Sequence, residues 1–146
     1  MMGDNDGALN IYVVDCDTDP YVPYSGWKVV EHKRGGQVLW DPTKVRRYLS
    51  KNQLGNKYEE GNRLRKELER QTTFNANLLE HLLLYPELIP KEWEEDRVFF
   101  WGTLFGVFHH GLCIRCLYFD GSRWGHYYYY LNSGFGNNDP ALVVVD

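Results

Sequence analysis

Three apolar, aromatic-rich segments, residues 97–108, 112–119 and 124–131, follow one another with almost nothing between them. The separators are His109-His110-Gly111 and a stretch opening Asp120-Gly121-Ser122. Each segment reads as a strand, and strands joined so tightly must run antiparallel, because a parallel pair needs a crossover of about a dozen residues. A C-terminal antiparallel meander is therefore the constraint that any fold of this chain must satisfy. A further strand is expected at 141–145, beyond the Gly/Asn-rich stretch 132–140, in which Gly134-Phe135-Gly136 reads as flexible loop.

Upstream the pattern changes twice. Residues 11–14 read as a short buried strand, and residues 27–34 and 37–40 as two strands joined in a hairpin at Gly35-Gly36. Helical signals follow. Asp41 suits an N-cap with Pro42 at the first helical position. Val45, Tyr48 and Leu49 then share one face, with Lys44, Arg46, Arg47 and Lys51 around the rest. A second helix is expected within 57–70, packing Tyr58, Gly61, Leu64 and Leu68. A third starts at Asn75, stapled by Phe74 and Leu79, and stops before Pro86. Pro90 opens a short turn that ends near Trp93.

Strands, then helices, then strands indicate α+β. The expectation is a single domain over residues 1–146: a mostly antiparallel sheet, formed by the meander and the N-terminal hairpin, against two or three short helices. The polar opening, residues 1–10, is expected to fray. At 43% hydrophobic and 25% charged the chain is not globally disordered. No apolar run approaches the ~18 residues of a membrane span. Three cysteines (Cys16, Cys113 and Cys116) make no disulfide framework, so a soluble cytoplasmic protein without a cofactor is expected.

Several stretches are familiar in combination: Ser25-Gly-Trp-Lys-Val-Val-Glu-His32, Gly35-Gly-Gln37, Asp41-Pro-Thr-Lys44, Tyr48-Leu-Ser50, Leu64-Arg-Lys-Glu-Leu68, Asn75-Ala-Asn77, Leu88-Ile-Pro90, Phe99-Phe-Trp-Gly-Thr103 and Asp120-Gly121. Over about residues 17–145 the chain resembles a family of small hypothetical bacterial proteins from environmental genomes. The resemblance implies a self-contained bacterial module and assigns it no chemistry.

Four features could carry chemistry. The first is Asp15-Cys16-Asp17-Thr18 after a hydrophobic strand, which resembles the nucleophile motif of haloacid-dehalogenase-type phosphohydrolases. In those enzymes one Asp attacks phosphorus beside Mg²⁺ and the other handles the leaving-group proton. Pro20 and Pro23 stand where that fold needs a crossover helix, so the context is poor. Asp15, Asp17 and Asp19 also have the opening spacing of a calcium loop. Pro20 and Gly26 then occupy the places of the required Gly and Glu, which excludes an EF-hand and leaves only weak divalent binding. The second is Cys113-Ile-Arg-Cys116, with His109 and His110 before it. On a strand, residues three apart face opposite ways, so two buried cysteines are expected and not a metal site. No phosphate-binding glycine loop or nucleophile elbow is present.

The third is charge. The net charge of -4 hides a segment, residues 44–70, that is net +5. Lys44, Arg46, Arg47 and Lys51 would bind nucleic acid if gathered on one face. The alternative is a solvated helical surface, and acidic Glu59, Glu60, Glu67 and Glu69 interrupt the region. The fourth is aromatic. Five Trp, eleven Tyr and seven Phe are present, and twelve of these rings lie within 97–131. In the third meander strand Trp124, His126, Tyr128 and Tyr130 face one way, and Tyr127 and Tyr129 the other. Rings of this kind hold a sheet together as cross-strand pairs, or they form a binding face. The preferred expectation is a non-enzymatic binding or interaction module. Its expected contacts are Trp101, Arg115, Trp124, His126, Tyr128 and Tyr130. The partner classes left open are a protein or small molecule at the aromatic face, nucleic acid at the basic region, and a second copy of the chain.

Overall fold

The computed structural model describes residues 9–145. The expected fraying of the first ten residues falls mostly on residues 1–8, which lie outside the described residues. Asn10 is exposed and makes a local turn contact, its side-chain oxygen accepting the Tyr12 amide at 3.0 Å. In chain order the elements are β1 (Val13–Asp15), β2 (Trp27–His32), β3 (Gln37–Leu39), β4 (Val45–Tyr48), β5 (Glu59–Glu60), α1 (Gly61–Glu67), α2 (Ala76–Leu84), β6 (Arg97–Phe99), β7 (Thr103–Val107), β8 (Gly111–Phe119), β9 (Trp124–Tyr130), β10 (Gly134–Phe135) and β11 (Ala141–Val144), with single 3-10 turns between some of them. The fold is α+β with a mostly antiparallel sheet, and the meander β7-β8-β9 is present as the short connections require.

The organising strand is β8. One edge pairs along its length with β9, from Cys113 opposite Tyr130 to Phe119 opposite Trp124. Its other edge is shared. β7 pairs with its first half and β6 with its second half, both antiparallel. The stretch 97–108 is thus two strands and not one. The chain breaks at Phe100–Gly102, where the Gly102 amide donates to Phe74 O (2.9 Å) and Gly102 O accepts from the Lys33 amide (2.7 Å). Beyond β7 lies β2. Beyond β6 lie β11, parallel to it, and then β4.

Two other expectations are corrected. Gly35-Gly36 does not close a hairpin. β2 pairs with β7, while β3 pairs with β1 in a separate ribbon. Gly36 is taken by the end of β1, its amide donating to Asp17 Oδ1 and its carbonyl accepting from the Cys16 amide, both at 2.8 Å. Nor is there a helix over Val45, Tyr48 and Leu49. Asp41 does cap a turn, accepting the Thr43 amide at 2.9 Å, but that 3-10 turn ends at Lys44. The chain then extends into β4 against β11, register Val45 opposite Val144. One helical repeat of three apolar positions was too little to decide, and the β-branched pairing with β11 won. In contrast Asn75 caps α2 as expected, accepting the Asn77 amide at 3.0 Å.

Both faces of the central sheet are covered. On one, Leu78, Leu79 and Leu82 of α2 pack with Val98, Leu117, Leu142, Val14, Trp40 and Trp93. On the other, Leu64 and Leu68 of α1 pack with Phe99, Leu104, Ile114, Cys116, Phe135 and Val143. Alternation along β6, β8 and β11 deals their residues between these two cores. The stretch 132–140 is not flexible loop: Phe135 is buried, β10 pairs with β5, and the Gln53 amide donates to Gly136 O and Asp139 O at 3.0 Å each. A Cβ at position 102 would sit 2.8 Å from the Asn75 backbone. Gly102→Ala should therefore cost about 3 kcal/mol in urea unfolding, the size of an overpacked core. Gly125→Ala, whose Cβ meets nothing within 4 Å, should stay within about 1 kcal/mol of the native chain.

Candidate functional site

β9 breaks the rule that apolar rings go inside. It bears one Trp, one His and four Tyr among seven residues, yet none of the seven is buried. Among the described residues it pairs only with β8, so its outer edge carries no strand. The alternation is as the sequence implied. Trp124, His126, Tyr128 and Tyr130 stand opposite Phe119, Leu117, Arg115 and Cys113 on one face. Gly125, Tyr127 and Tyr129 stand opposite Tyr118, Cys116 and Ile114 on the other.

On the first face the loop before β2 supplies Tyr24. Its ring lies 6.0 Å from His126, 5.8 Å from Tyr128 and 4.9 Å from Trp27. Trp27 meets Tyr128 edge-on at 4.9 Å and Phe105 at 5.3 Å. Such spacings are those of favourable tilted and edge-to-face ring pairs. Arg115 lies beneath, only 1% exposed. Glu80 of α2 meets its guanidinium at 2.6 Å and keeps a side-chain exposure of 34%. The pair is in charge contact without hydrogen-bond alignment, and the Arg115 nitrogens and His126 Nδ1 have no aligned partner among the described residues. Burial pushes the His126 pKa down, the Arg115 charge adds to this, and Glu80 opposes it.

On the second face Tyr118, Tyr127, Tyr129 and Arg97 line a hollow of about 260 Å³. Gly125 stands opposite Tyr118 on the same face of the sheet, beside the hollow, and its missing side chain leaves clear space there. Tyr127 is 54% exposed. Tyr129 is anchored inward against Phe99 (4.9 Å) and Phe135 (5.2 Å). Burial, with Asp139 nearby, pushes its hydroxyl up to about 12. Arg97 lies 5.8 Å from the Tyr129 ring centre, and its Nε donates to Asp139 Oδ1 at 2.7 Å. Asp139 is buried and its other oxygen accepts the Gly136 amide at 2.7 Å.

The expected contact residues are therefore divided. Trp124, His126, Tyr128 and Tyr130 share a half-exposed face. Arg115 belongs to that face but lies under its rings, so it is not a surface hydrogen-bond donor. Trp101 is buried in the opposite core, 5.6 Å from Phe135, because the break at 100–102 turns it away from the β7-β8-β9 face. Trp124 also leans on the α2 core.

The other candidates disperse. Arg46 and Arg47 are neighbours on a strand and point to opposite sides. Arg47 pairs with Asp96 at 2.7 Å in a cleft of about 520 Å³ that also holds Glu92 and Glu95. Lys44 and Lys51 sit in 3-10 turns on either side of β4 and are exposed. Asp15 and Asp17 accept backbone amides, and Asp19 pairs with Arg34. β1 lies in a two-stranded antiparallel ribbon and not in the parallel sheet that the phosphohydrolase motif requires. Cys113 and Cys116 are buried on opposite faces, and burial pushes both thiols up to about 12.

Sequence reasoning missed Tyr24, Glu80, Arg97, Tyr118 and Gly125. Arg97, Tyr118 and Gly125 carried a signal, since all three lie in segments already expected to be strands. No protein-family model matches the chain, and no curated protein or solved structure does either. By NMR titration His126 should titrate below its ordinary 6.5. The unfolded chain then takes up the proton first. The stabilisation from neutral His126 is full above about pH 6.5 and declines as pH falls below it. Glu80→Gln should lower that pKa further and cost about 2 kcal/mol, less than a fully buried pair because Glu80 keeps some solvent.

Proposed function

We propose that the protein is a non-enzymatic binding module whose contact element is β9. The observation that carries this reading is the exposure of β9: six ring-bearing side chains on one strand, none buried, with a free edge. Ring surface left in water where both faces of the neighbouring strands are covered is a resource for recognition. Tyr and Trp combine contact area with a polar tip, at a low cost in side-chain entropy. Tyr24 and Trp27 extend the surface on one side, and Tyr118 extends it on the other. The high thiol pKa values support a binding role over nucleophilic chemistry. The opposed directions of Arg46 and Arg47, and the acids around Arg47, favour the ring surface over the basic segment as the contact region.

The test is amide and aromatic NMR on the full chain with a panel of small probes: indole, benzoate, xylotriose and a uridine hexanucleotide. At least one probe should shift signals grouped on residues 124–130 together with Tyr24 or Tyr118. Tyr127→Ala or Tyr128→Ala should weaken that probe about fivefold, as expected for one lost stacking contact. Shifts confined to Arg46, Arg47 and Lys51 would overturn the reading, as would no shift from any probe.

A further inference from the structure

We propose that the hollow lined by Arg97, Tyr118, Tyr127 and Tyr129 is a binding site for a single planar ring bearing an oxyanion, either a carboxylate or a phosphate monoester. The ring would stack against Tyr118 and Tyr127, and the outer nitrogens of Arg97 would hold the oxyanion. The proposal rests on the reading of β9 as the contact element and names the ligand class for the concave part of that element.

Size, lining and charge lead to this class. A volume of about 260 Å³ lies just below the usual range of drug-sized ligand pockets, which suits one ring and not a dinucleotide or a peptide. The lining residues are three tyrosines and one arginine, so ring faces supply the walls and Arg97 the only charge. A tyrosine-lined hollow could attract a cation, but although Asp139 offsets the Arg97 charge from the buried side, only the guanidinium lines the hollow, so the donors that a ligand meets select an anion. Arg97 is also prepared for that task. Asp139 engages its Nε and spends its second oxygen on the Gly136 amide. The two outer nitrogens have no protein hydrogen-bond partner among the described residues, and the side chain is 38% exposed. That leaves a fixed, planar donor fork, the geometry that carboxylates and phosphates accept in bidentate fashion.

The experiment follows the Gly125 and Tyr127 amide signals of the full chain during titration with benzoate, phenyl phosphate and benzamide. Benzoate or phenyl phosphate should bind at least about tenfold more tightly than benzamide, the size of one charge-assisted hydrogen bond. The tighter of the two tells a carboxylate from a phosphate ligand. Binding should weaken at least about fivefold in Tyr118→Ala, which removes one wall of the hollow at a 41% exposed position, so that variant keeps its fold. It should weaken to the benzamide level in Arg97→Gln. Equal binding of benzamide and benzoate at Gly125 would overturn the oxyanion assignment and leave β9 as the contact element. Binding that is unchanged in Tyr118→Ala, or shifts that miss Gly125 and Tyr127 with every probe, would overturn the site itself. The reading of β9 would then fall only if the wider panel also misses Tyr24, His126 and Tyr128.

Discussion

The contact between Gly102 and Asn75 ties together parts of the chain that share no secondary structure. Gly102 lets the backbone of the sheet touch the backbone that opens α2. The Asn75 side chain uses this closeness in three directions. Its oxygen caps α2, and its amide nitrogen donates to Cys16 O (2.9 Å) and Lys33 O (3.0 Å), which fastens the β1 and β2 ends. Next to it Thr103 Oγ1 accepts the Ala76 amide at 2.9 Å and meets His32 Nδ1 at 2.8 Å. Helix start, ribbon and sheet are thus joined through groups that would otherwise be buried and unsatisfied. The break that divides β6 from β7 is the geometric condition for all of it.

From this junction follows the unequal treatment of the aromatic residues. With α2 and the β1–β3 ribbon on one side and α1 on the other, β6 and β7 and most of β8 are covered on both faces. Their rings are core. β9 lies beyond that cover at the margin of the sheet, and its rings stay half-wet. The burial of Arg115 belongs to the same geometry. Its strand is enclosed, so the charge had to be met from α2 by Glu80. Burying a charge is tolerable only with such a partner.

What the sequence disclosed is what local physics decides. Short polar connections forced the meander, Asn75 announced a cap, Pro86 announced a helix end, and alternation assigned the faces of β9 correctly. What it concealed was decided between distant segments. The partner of Gly36 is the end of β1, not a neighbouring strand. The state of residues 45–48 depends on β11, nearly a hundred residues later. The shared face of four expected contact residues, Trp124, His126, Tyr128 and Tyr130, could be read from alternation alone. The depth of Arg115 and the displacement of Trp101 could not, because both follow from what packs above them. Arg97 looked like an ordinary strand start, since its partner Asp139 lies in a stretch that composition marks as loose.

That partnership separates the meander from the site built on it. A peptide covering residues 97–131 would keep the tyrosines of the hollow and Arg97, but neither Asp139 nor the Phe135 ring that seats Tyr129. It would also lose β11, the strand that flanks β6. The rings are local property of one segment, whereas their arrangement is held in common by the whole chain. Any change that loosens the 132–140 crossing would therefore disturb the ring arrangement of β9 without touching a single residue of β9.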